Sequence, residues 1–181
     1  MLPVRRYFVR RVVILGRAAA GKTTLSLHLG EIEELPAVEL DKLFWRFGST
    51  ATPRAEWIAL QQELIKPESW ILDGDLGGYD AVGTRLSAAD TIILLDFSFM
   101  RCAWRAWKRS REGIGFWLWM ASYRWRNLPH TIEAIEKYAS NAEVHVFRGP
   151  RALAQFVELR RNSLTCDSLD EAVFASKPLG R

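Results

Sequence analysis

Apolar and polar positions along the chain divide it into two kinds of segment. Short apolar runs are typical of strands buried on both faces of a parallel sheet. Such runs predict strands at residues 12–15, 38–40, 70–72, 91–95 and 144–147. Apolar positions spaced three or four apart predict helices at residues 22–29, 53–65, 98–110, 116–126, 129–139 and 150–160. From residue 162 onward the pattern is weak.

The order of these elements predicts the fold class. Strands that alternate with helices indicate a parallel α/β sheet with helices packed on it. No repeat or linker divides the 181 residues. We therefore predict a single domain over residues 1–181, built on a five-stranded parallel sheet, with a weakly patterned tail at residues 162–181.

Composition narrows the setting of the protein. A formal charge of +4 is too mild to indicate nucleic-acid binding by itself. The two cysteines, Cys102 and Cys166, show neither metal-site spacing nor a disulfide framework, which favours a reducing, cytoplasmic location. The longest later apolar run, residues 114–123, is about half the length that a membrane-spanning helix needs, so we expect no membrane association.

Residues 16–23 match the phosphate-loop pattern G-x-x-x-x-G-K-[ST]. Gly16 and Gly21 let the backbone curl until its N–H groups converge on anionic oxygens. Lys22 is placed to reach the β- and γ-phosphates, and the Thr23 hydroxyl to ligate Mg²⁺. We therefore expect ATP and Mg²⁺ as ligands. The predicted nucleotide-binding residues are Gly16, Arg17, Ala18, Ala19, Ala20, Gly21, Lys22, Thr23 and Thr24.

A phosphate loop alone does not separate kinases from GTPases, motors or transporter ATPases. The guanine-recognition motif N-K-x-D is absent from the sequence, and so is an ABC-type signature. The chain is also short for most of the larger ATP-driven machines. A small phosphotransferase is the class that remains.

Acidic residues follow several predicted strands, where ligands gather in open α/β sheets. Asp73 follows the third strand and is predicted to hold magnesium together with Thr23. Asp96, after the fourth strand, is the rival for that role, although it also fits the cap of the next helix. Asp41, at the end of the second strand, is predicted to accept a proton from an acceptor hydroxyl. The alternative for Asp41 is an ordinary turn aspartate.

Four segments together resemble the P-loop kinase-like proteins labelled DNA topology modulation proteins, which are similar to adenylate kinases. The segments read GRAAAGKTTLSLHLG, LDKLFW, WILDGDLGGYD and ADTIILLDFSFMRCAWRAWKR. The resemblance implies a P-loop NTPase of nucleoside- or nucleotide-kinase type. Its fold would have three layers and a helical lid region at about residues 105–130. The resemblance also implies ATP as donor, Asp73 as the magnesium-side carboxylate and Asp41 as general base.

Arginines recur on the helix predicted after the fourth strand. Arg101, Arg105 and Arg109 are four residues apart and therefore share one helix face. In adenylate-kinase-like enzymes this helix leads into the lid, so Arg105 and Arg109 are predicted to clamp the transferring phosphate. A solvated basic face is the alternative. Trp104 and Trp107 are predicted to point into the core.

The sequence leaves open the role of residues 116–126 and the location of Arg85. The segment interleaves aromatic residues with arginines, a composition that also occurs in single-strand nucleic-acid binding sites, at membrane surfaces and in lids. We favour helix packing for it. Its residues are Phe116, Trp117, Trp119, Tyr123, Arg124, Trp125 and Arg126. Arg85 either approaches an acceptor phosphate or lies on the surface.

These observations predict an ATP-dependent kinase that acts on a nucleoside, a nucleotide or a similar small-molecule acceptor. Its catalytic residues would be Lys22, Asp41, Arg105 and Arg109. The alternative is a regulatory nucleotide-binding module that contacts nucleic acid. The oligomeric state is not indicated by the sequence.

Overall fold

Five parallel strands form the central sheet of the protein. The computed structural model describes residues 9–46, 50–109 and 113–175, except for the side chains of Arg109 and residues 164–175. The strands are β1 (Arg11–Gly16), β2 (Ala37–Glu39), β5 (Trp70–Asp73), β6 (Thr91–Leu95) and β7 (Glu143–Phe147). They lie in the order β2-β5-β1-β6-β7, which confirms the predicted sheet.

A two-stranded ribbon lies beside the sheet. β3 (Trp45–Arg46) pairs antiparallel with β4 (Thr50–Ala51), and residues 47–49 between them lie outside the described part. The sequence pattern does not predict this ribbon, because strands of two residues are too short to show a hydrophobic period.

Helices and a short turn connect the strands in the described part of the chain. The turn is a 3₁₀ helix at Gly77–Tyr79. The α-helices are α1 (Lys22–Glu33), α2 (Leu40–Phe44), α3 (Arg54–Leu64), α4 (Gly83–Leu86), α5 (Phe99–Arg109), α6 (Ile114–Tyr138) and α7 (Pro150–Ala175). The helix predicted at residues 150–160 is thus the first part of α7, which extends into the segment predicted as a tail.

Alternate residues of β1, β2, β5 and β6 belong to two separate hydrophobic clusters, one on each face of the sheet. On β1, Val13 and Leu15 join side chains of α2, α3, α4 and α6. Val12 and Ile14 join side chains of α1, α5 and α7. Both faces of β1 are therefore buried, which accounts for the continuous apolar run in its sequence. Each large buried side chain contributes about 1.5–3 kcal/mol to stability.

The two helices predicted at residues 116–126 and 129–139 form one helix, α6, with Pro129 inside it. A proline inside a helix removes one backbone hydrogen bond. The Thr131 hydroxyl donates to the Asn127 carbonyl at 3.0 Å and adds a bond in the same turn. Tyr123 and Ile135, on either side of the proline, are both buried in the core. Packing on both sides therefore keeps the helix continuous.

Trp104 and Trp107 do not point into the core, contrary to the prediction. Their exposed fractions are 56% and 66%, and their rings contact each other at 5.5 Å between centroids. The buried face of α5 consists instead of Cys102 and Ala106. Small side chains let the helix backbone approach the sheet closely, so the bulky tryptophans lie on the outer side.

Gly16, the last residue of β1, should not tolerate alanine. Its φ of +135° is unfavourable for other residues, and an added Cβ would lie 2.6 Å from the Leu95 carbonyl oxygen. We expect Gly16→Ala to lower the free energy of unfolding by about 1–3 kcal/mol in urea denaturation.

Gly115 on α6 provides the matched control, since a Cβ there would meet nothing within 4 Å. Because alanine favours a helix interior over glycine, Gly115→Ala should raise the free energy of unfolding by up to about 1 kcal/mol. Equal effects of the two substitutions would contradict the account of Gly16.

Candidate active site

The segment between β1 and α1 has the backbone of a phosphate-binding loop. Gly21 (φ +100°) and Ala19 (φ +57°) turn the chain back, and the Leu25 amide donates to the Gly21 carbonyl at 3.0 Å to begin α1. Lys22 is buried, and its ammonium donates to the Arg17 carbonyl at 3.5 Å. The positive end of α1 and the Lys22 ammonium therefore lie at the same loop.

Arg105 reaches this loop from α5. Its guanidinium donates to the Ala20 carbonyl at 3.1 Å and lies 3.1 Å from the position that a Cβ on Gly21 would occupy. Arg101 is exposed on the same helix. The Arg109 side chain lies outside the described part of the chain. Of the two arginines whose side chains are described, Arg105 is the one that the structure brings to the phosphate loop.

Arg17 is a buried cation within the loop itself. Its guanidinium carbon lies 5.7 Å from the Phe99 ring centroid and 5.4 Å from that of Tyr123. Within the described part of the chain, its Nε and Nη1 atoms are buried without a hydrogen-bond partner. Ring faces offset only part of the cost of burying such a charge. An unpaired buried cation therefore fits a loop that receives an anionic group.

Asp73, at the end of β5, lies next to the start of α1. The Ser26 hydroxyl donates to Asp73 Oδ2 at 3.3 Å, and the Thr23 hydroxyl is close enough to lower the pKa of the Asp73 carboxyl group. Burial raises the pKa of Asp73, while the Lys22 ammonium opposes this shift. The structure thus brings together the two residues predicted to hold magnesium, Thr23 and Asp73.

Asp41 lies in the first turn of α2, two residues beyond the end of β2, and not in the strand. Solvent reaches the residue, yet the surrounding protein desolvates its carboxylate enough to raise its pKa. The Lys22 ammonium lowers this pKa, and the Asp75 and Asp80 carboxylates raise it. Asp41 is therefore within electrostatic reach of both the phosphate loop and the loop that follows β5.

The carboxylate of Asp96 pairs with two arginines. Its carboxylate lies 3.5 Å from Arg124 on α6 and 3.9 Å from Arg148, just beyond β7. Its backbone amide donates to the Phe147 carbonyl at 3.0 Å. These contacts tie the ends of β6 and β7 to α6, whereas Asp73 is the carboxylate found beside Thr23.

Arg85 neither faces an acceptor phosphate nor lies on the surface, so both sequence interpretations were wrong. It is fully buried and makes a bidentate ion pair with Asp80, with N–O distances of 2.8 and 2.6 Å. It also donates to the Gln61 side chain at 2.8 Å and to the Gly74 carbonyl at 2.9 Å. The Trp57 indole donates to Asp80 at 3.2 Å. This network fixes the loop after β5.

Two cavities adjoin these residues. One, of about 320 Å³, lies beside the phosphate loop and is lined by Gly21, Thr24, Arg105 and Leu153, among others. The other, of about 890 Å³, lies between residues 75–82 and α6. The first extends from the phosphate loop to α7, and the second extends from Asp75 to the exposed side of α6.

The aromatic segment of α6 has two parts. Phe116, Trp117 and Trp119 pack against the core clusters, and Tyr123 is buried, so helix packing holds for these residues. Trp125 is 77% exposed.

None of the described helices is long and apolar enough to cross a bilayer.

Solved structures of several small-molecule kinases share this architecture. A gluconokinase from Sinorhizobium meliloti is 17% identical, with 95% of this chain and 100% of that chain covered and a TM-score of 0.54. A shikimate kinase from Bacteroides thetaiotaomicron is 15% identical, with 87% of this chain and 99% of that chain covered and a TM-score of 0.53. A deoxyadenosine kinase from M. mycoides is also 15% identical, with 86% of this chain and 98% of that chain covered and a TM-score of 0.53. The chain has the three-layer α/β P-loop kinase fold. At such low identity, the likeness concerns the fold alone.

No family model matches the sequence, and no match is found among the curated proteins. The finer resemblance to DNA topology modulation proteins therefore receives no support from these comparisons, while the P-loop kinase fold does.

Three features of the site were not predicted from the sequence. They are the network around Arg85, the stacking of Arg17 and the hydrogen bond from the Tyr123 hydroxyl to Asp75 at 2.6 Å. The partners in the last bond are 48 residues apart in sequence. No local pattern signals such a pair, whereas an arginine inside a phosphate loop is visible as an unusual residue.

Removal of the Arg85 guanidinium should destabilise the protein strongly. Arg85→Met leaves the Asp80 carboxylate buried and unpaired, which typically costs about 3–5 kcal/mol of unfolding free energy. Urea denaturation followed by circular dichroism measures the loss.

The exposed pair Lys66–Glu63, at 2.6 Å, provides the control. Lys66→Met should change stability by less than about 1 kcal/mol. The double variant Arg85→Met/Asp80→Leu should recover part of the loss, because it removes both buried charges. A loss from Arg85→Met no larger than that from Lys66→Met would contradict the role of the network.

Proposed function

We propose that this protein is an ATP-dependent kinase that transfers a phosphoryl group to a hydroxyl of a small molecule. The observation that supports it best is the arrangement around Lys22. The ammonium lies on a phosphate loop and within electrostatic reach of two carboxylates, Asp73 and Asp41, at the ends of neighbouring strands. One loop would hold the donor, while the carboxylates serve the metal and the acceptor.

The donor half rests on cations and backbone amides. The loop N–H groups, the Lys22 ammonium and the Arg105 guanidinium would bind the phosphates of ATP. The unpaired Arg17 guanidinium adds positive charge to the same loop. The cavity lined by Thr24 and Leu153 would take the nucleoside part of the donor.

Thr23 and Asp73 would hold Mg²⁺. A hydroxyl and a carboxylate are hard oxygen ligands, and Mg²⁺ commonly uses one or two protein ligands together with waters and substrate phosphates. Among the described residues, no group of three or more His, Cys, Asp or Glu side chains could hold a metal ion. The ion would neutralise charge on the phosphates.

Asp41 would activate the acceptor. Its carboxylate accepts the hydroxyl proton as the acceptor oxygen bonds to the γ-phosphorus, and the bond from that phosphorus to the bridging oxygen breaks to release ADP. Arg105 would stabilise the charge during transfer. Catalysis would come mainly from positioning and electrostatics.

Lys22 should be essential for donor binding. Loss of a hydrogen bond to a charged group costs roughly 1.5–3 kcal/mol, so Lys22→Ala should raise the Kd for ATP by roughly 10- to 150-fold. Titration with a fluorescent ATP analogue measures this. Lys66→Ala, which removes an exposed lysine, should leave the Kd unchanged. Unaltered ATP affinity of Lys22→Ala would refute the donor assignment.

The activity should decline on the acid side of neutrality. Asp41 must be deprotonated to act as base, and its pKa is raised above 3.8 by burial. We therefore expect kcat/KM to fall as the pH drops through an apparent pKa above 3.8. Burial also raises the pKa of Asp73. The acid limb of the pH profile therefore reports the joint titration of Asp41 and Asp73.

The substitution Asp41→Asn distinguishes the contribution of Asp41 from that of Asp73. It should lower kcat by roughly 10²- to 10⁴-fold and remove the Asp41 contribution to the acid limb, with little change in ATP affinity. Asp73→Asn should instead change the dependence of activity on Mg²⁺ concentration. If Asp41→Asn kept both kcat and the acid limb, another residue would have to be the base.

A nucleotide-binding regulatory module is the second candidate. Trp104 and Trp107 are exposed beside Arg101 and Lys108 on α5, a combination found where proteins contact nucleic acid. Release of ADP that depends on an added acceptor, across a panel of nucleosides, monophosphates and sugars, favours the kinase. ATP binding without such turnover favours the module.

A further inference from the structure

The cavity between residues 75–82 and α6 is suited to a small molecule. Its volume of about 890 Å³ lies within the range of roughly 300–1,000 Å³ typical of ligand sites. It lies outside the phosphate loop, and the proposed donor half does not use it.

Residues that line this cavity contact the helix that carries the carboxylate proposed as base. The Tyr79 ring, which lines it, contacts the rings of Phe44 at 6.3 Å and Trp45 at 6.2 Å between centroids. Phe44 ends α2, the helix that carries Asp41. Asp75, another lining residue, is near enough to influence the charge of Asp41. Asp41 does not itself line the cavity, but two lining residues, Tyr79 and Asp75, link the cavity to the helix that carries it.

The acidic groups of the wall favour hydroxyls over phosphates. Asp80 is paired with Arg85. Asp75 accepts hydrogen bonds from the Tyr123 hydroxyl at 2.6 Å and the Gly77 amide at 3.2 Å. A carboxylate has about four acceptor positions, so Asp75 can accept further donors. Sugar hydroxyls supply such donors, whereas a phosphate dianion would be repelled.

The basic side chains of the lining are unsuited to a buried phosphate. They are Arg126 and His130, and both are exposed at the rim. The buried cation behind this wall, Arg85, already has a bidentate partner in Asp80. Nothing described in the lining therefore offers a buried positive charge to an acceptor phosphate.

Aromatic rings form the remainder of the wall. Trp119, Trp125 and Tyr79 line the cavity, and the last two are 77% and 64% exposed. Exposed rings are stacking surfaces for nucleic-acid bases. Asn127 and Thr131 lie on the same wall and can hydrogen-bond to the edge of a base.

We infer that this cavity binds the acceptor and that the acceptor is a nucleoside, a neutral aromatic base joined to a hydroxylated sugar. The inference rests on the proposed kinase function, which it refines. A sugar hydroxyl oxygen would bond to the γ-phosphorus of ATP, its proton would pass to Asp41, and ADP would leave.

Isothermal titration calorimetry on the full chain, without ATP, tests the ligand class. The probes are the common ribo- and deoxyribonucleosides, their 5′-monophosphates, and the acids gluconate and shikimate. We expect at least one nucleoside to bind, at least ten-fold more tightly than its own monophosphate and than either acid. Absence of nucleoside binding, or equal or tighter binding of the monophosphate, would overturn the inference.

Trp125→Ala tests the stacking surface. Loss of one base–aromatic contact should weaken nucleoside binding by roughly 5- to 150-fold, which corresponds to about 1–3 kcal/mol. Leu159→Ala is the control, since this large apolar side chain is 67% exposed on α7 and outside the lining. It should leave the affinity unchanged. Equal losses from the two variants would argue against the cavity.

Asp75→Asn tests the charge argument. The substitution keeps the size of the side chain and removes its negative charge, so the preference for a nucleoside over its monophosphate should narrow several-fold. An unchanged preference would refute the role of Asp75. Circular dichroism checks the fold of the variant, and Trp125→Ala, at an exposed position, provides an independent test.

Separate assays distinguish failure of this inference from failure of the proposed function. If ADP were released with a monophosphate or an acid, and no nucleoside bound, the kinase function would be supported and the assignment of a nucleoside as acceptor would be refuted. Nucleoside binding without ATP binding or ADP release would support the ligand class and refute the kinase function.

Discussion

The parallel pairing of β5 with β1 is the interaction on which the whole site depends. Ile14 is in register with Asp73, and the Gly74 amide donates to the Ile14 carbonyl at 3.2 Å. Because parallel strands end at the same edge of a sheet, the phosphate loop after β1 and the acidic loop after β5 begin side by side. A slip of one residue would turn Asp73 to the opposite face of the sheet, away from Thr23 and Ser26.

Two buried guanidinium groups illustrate how the same chemistry serves scaffold and site. Arg85 has a carboxylate, an amide oxygen and a carbonyl as partners, and it holds the loop after β5 in place. Arg17 has ring faces but no hydrogen-bond partner for two of its nitrogens in the described chain. Unpaired buried charge is costly, so it persists where the fold over-determines it or where a ligand compensates it. Its place in the phosphate loop favours the second reason.

Helix α6 joins the stability of the fold to the shape of the proposed acceptor cavity. Met120 is buried in one core cluster and Tyr123 in the other, while Trp125, further along the helix, faces the cavity. The hydrogen bond from Tyr123 to Asp75 connects the helix to the loop on the opposite wall. The width of the cavity is therefore set by core packing and not by a mobile surface loop alone.

The sequence by itself determined the five strands, the phosphate loop and the candidate roles of Lys22, Thr23 and Asp73, because each depends on residues close together in the chain. The tertiary structure decided the partners of Arg85, which lie 5, 11 and 24 residues away. It also decided which side of α5 is buried. Helical spacing marks the stripe containing Trp104 and Trp107 but does not say whether that stripe faces inward. Close approach of α5 to the sheet favours Cys102 and Ala106 on the inner side, and that distance depends on contacts remote in sequence.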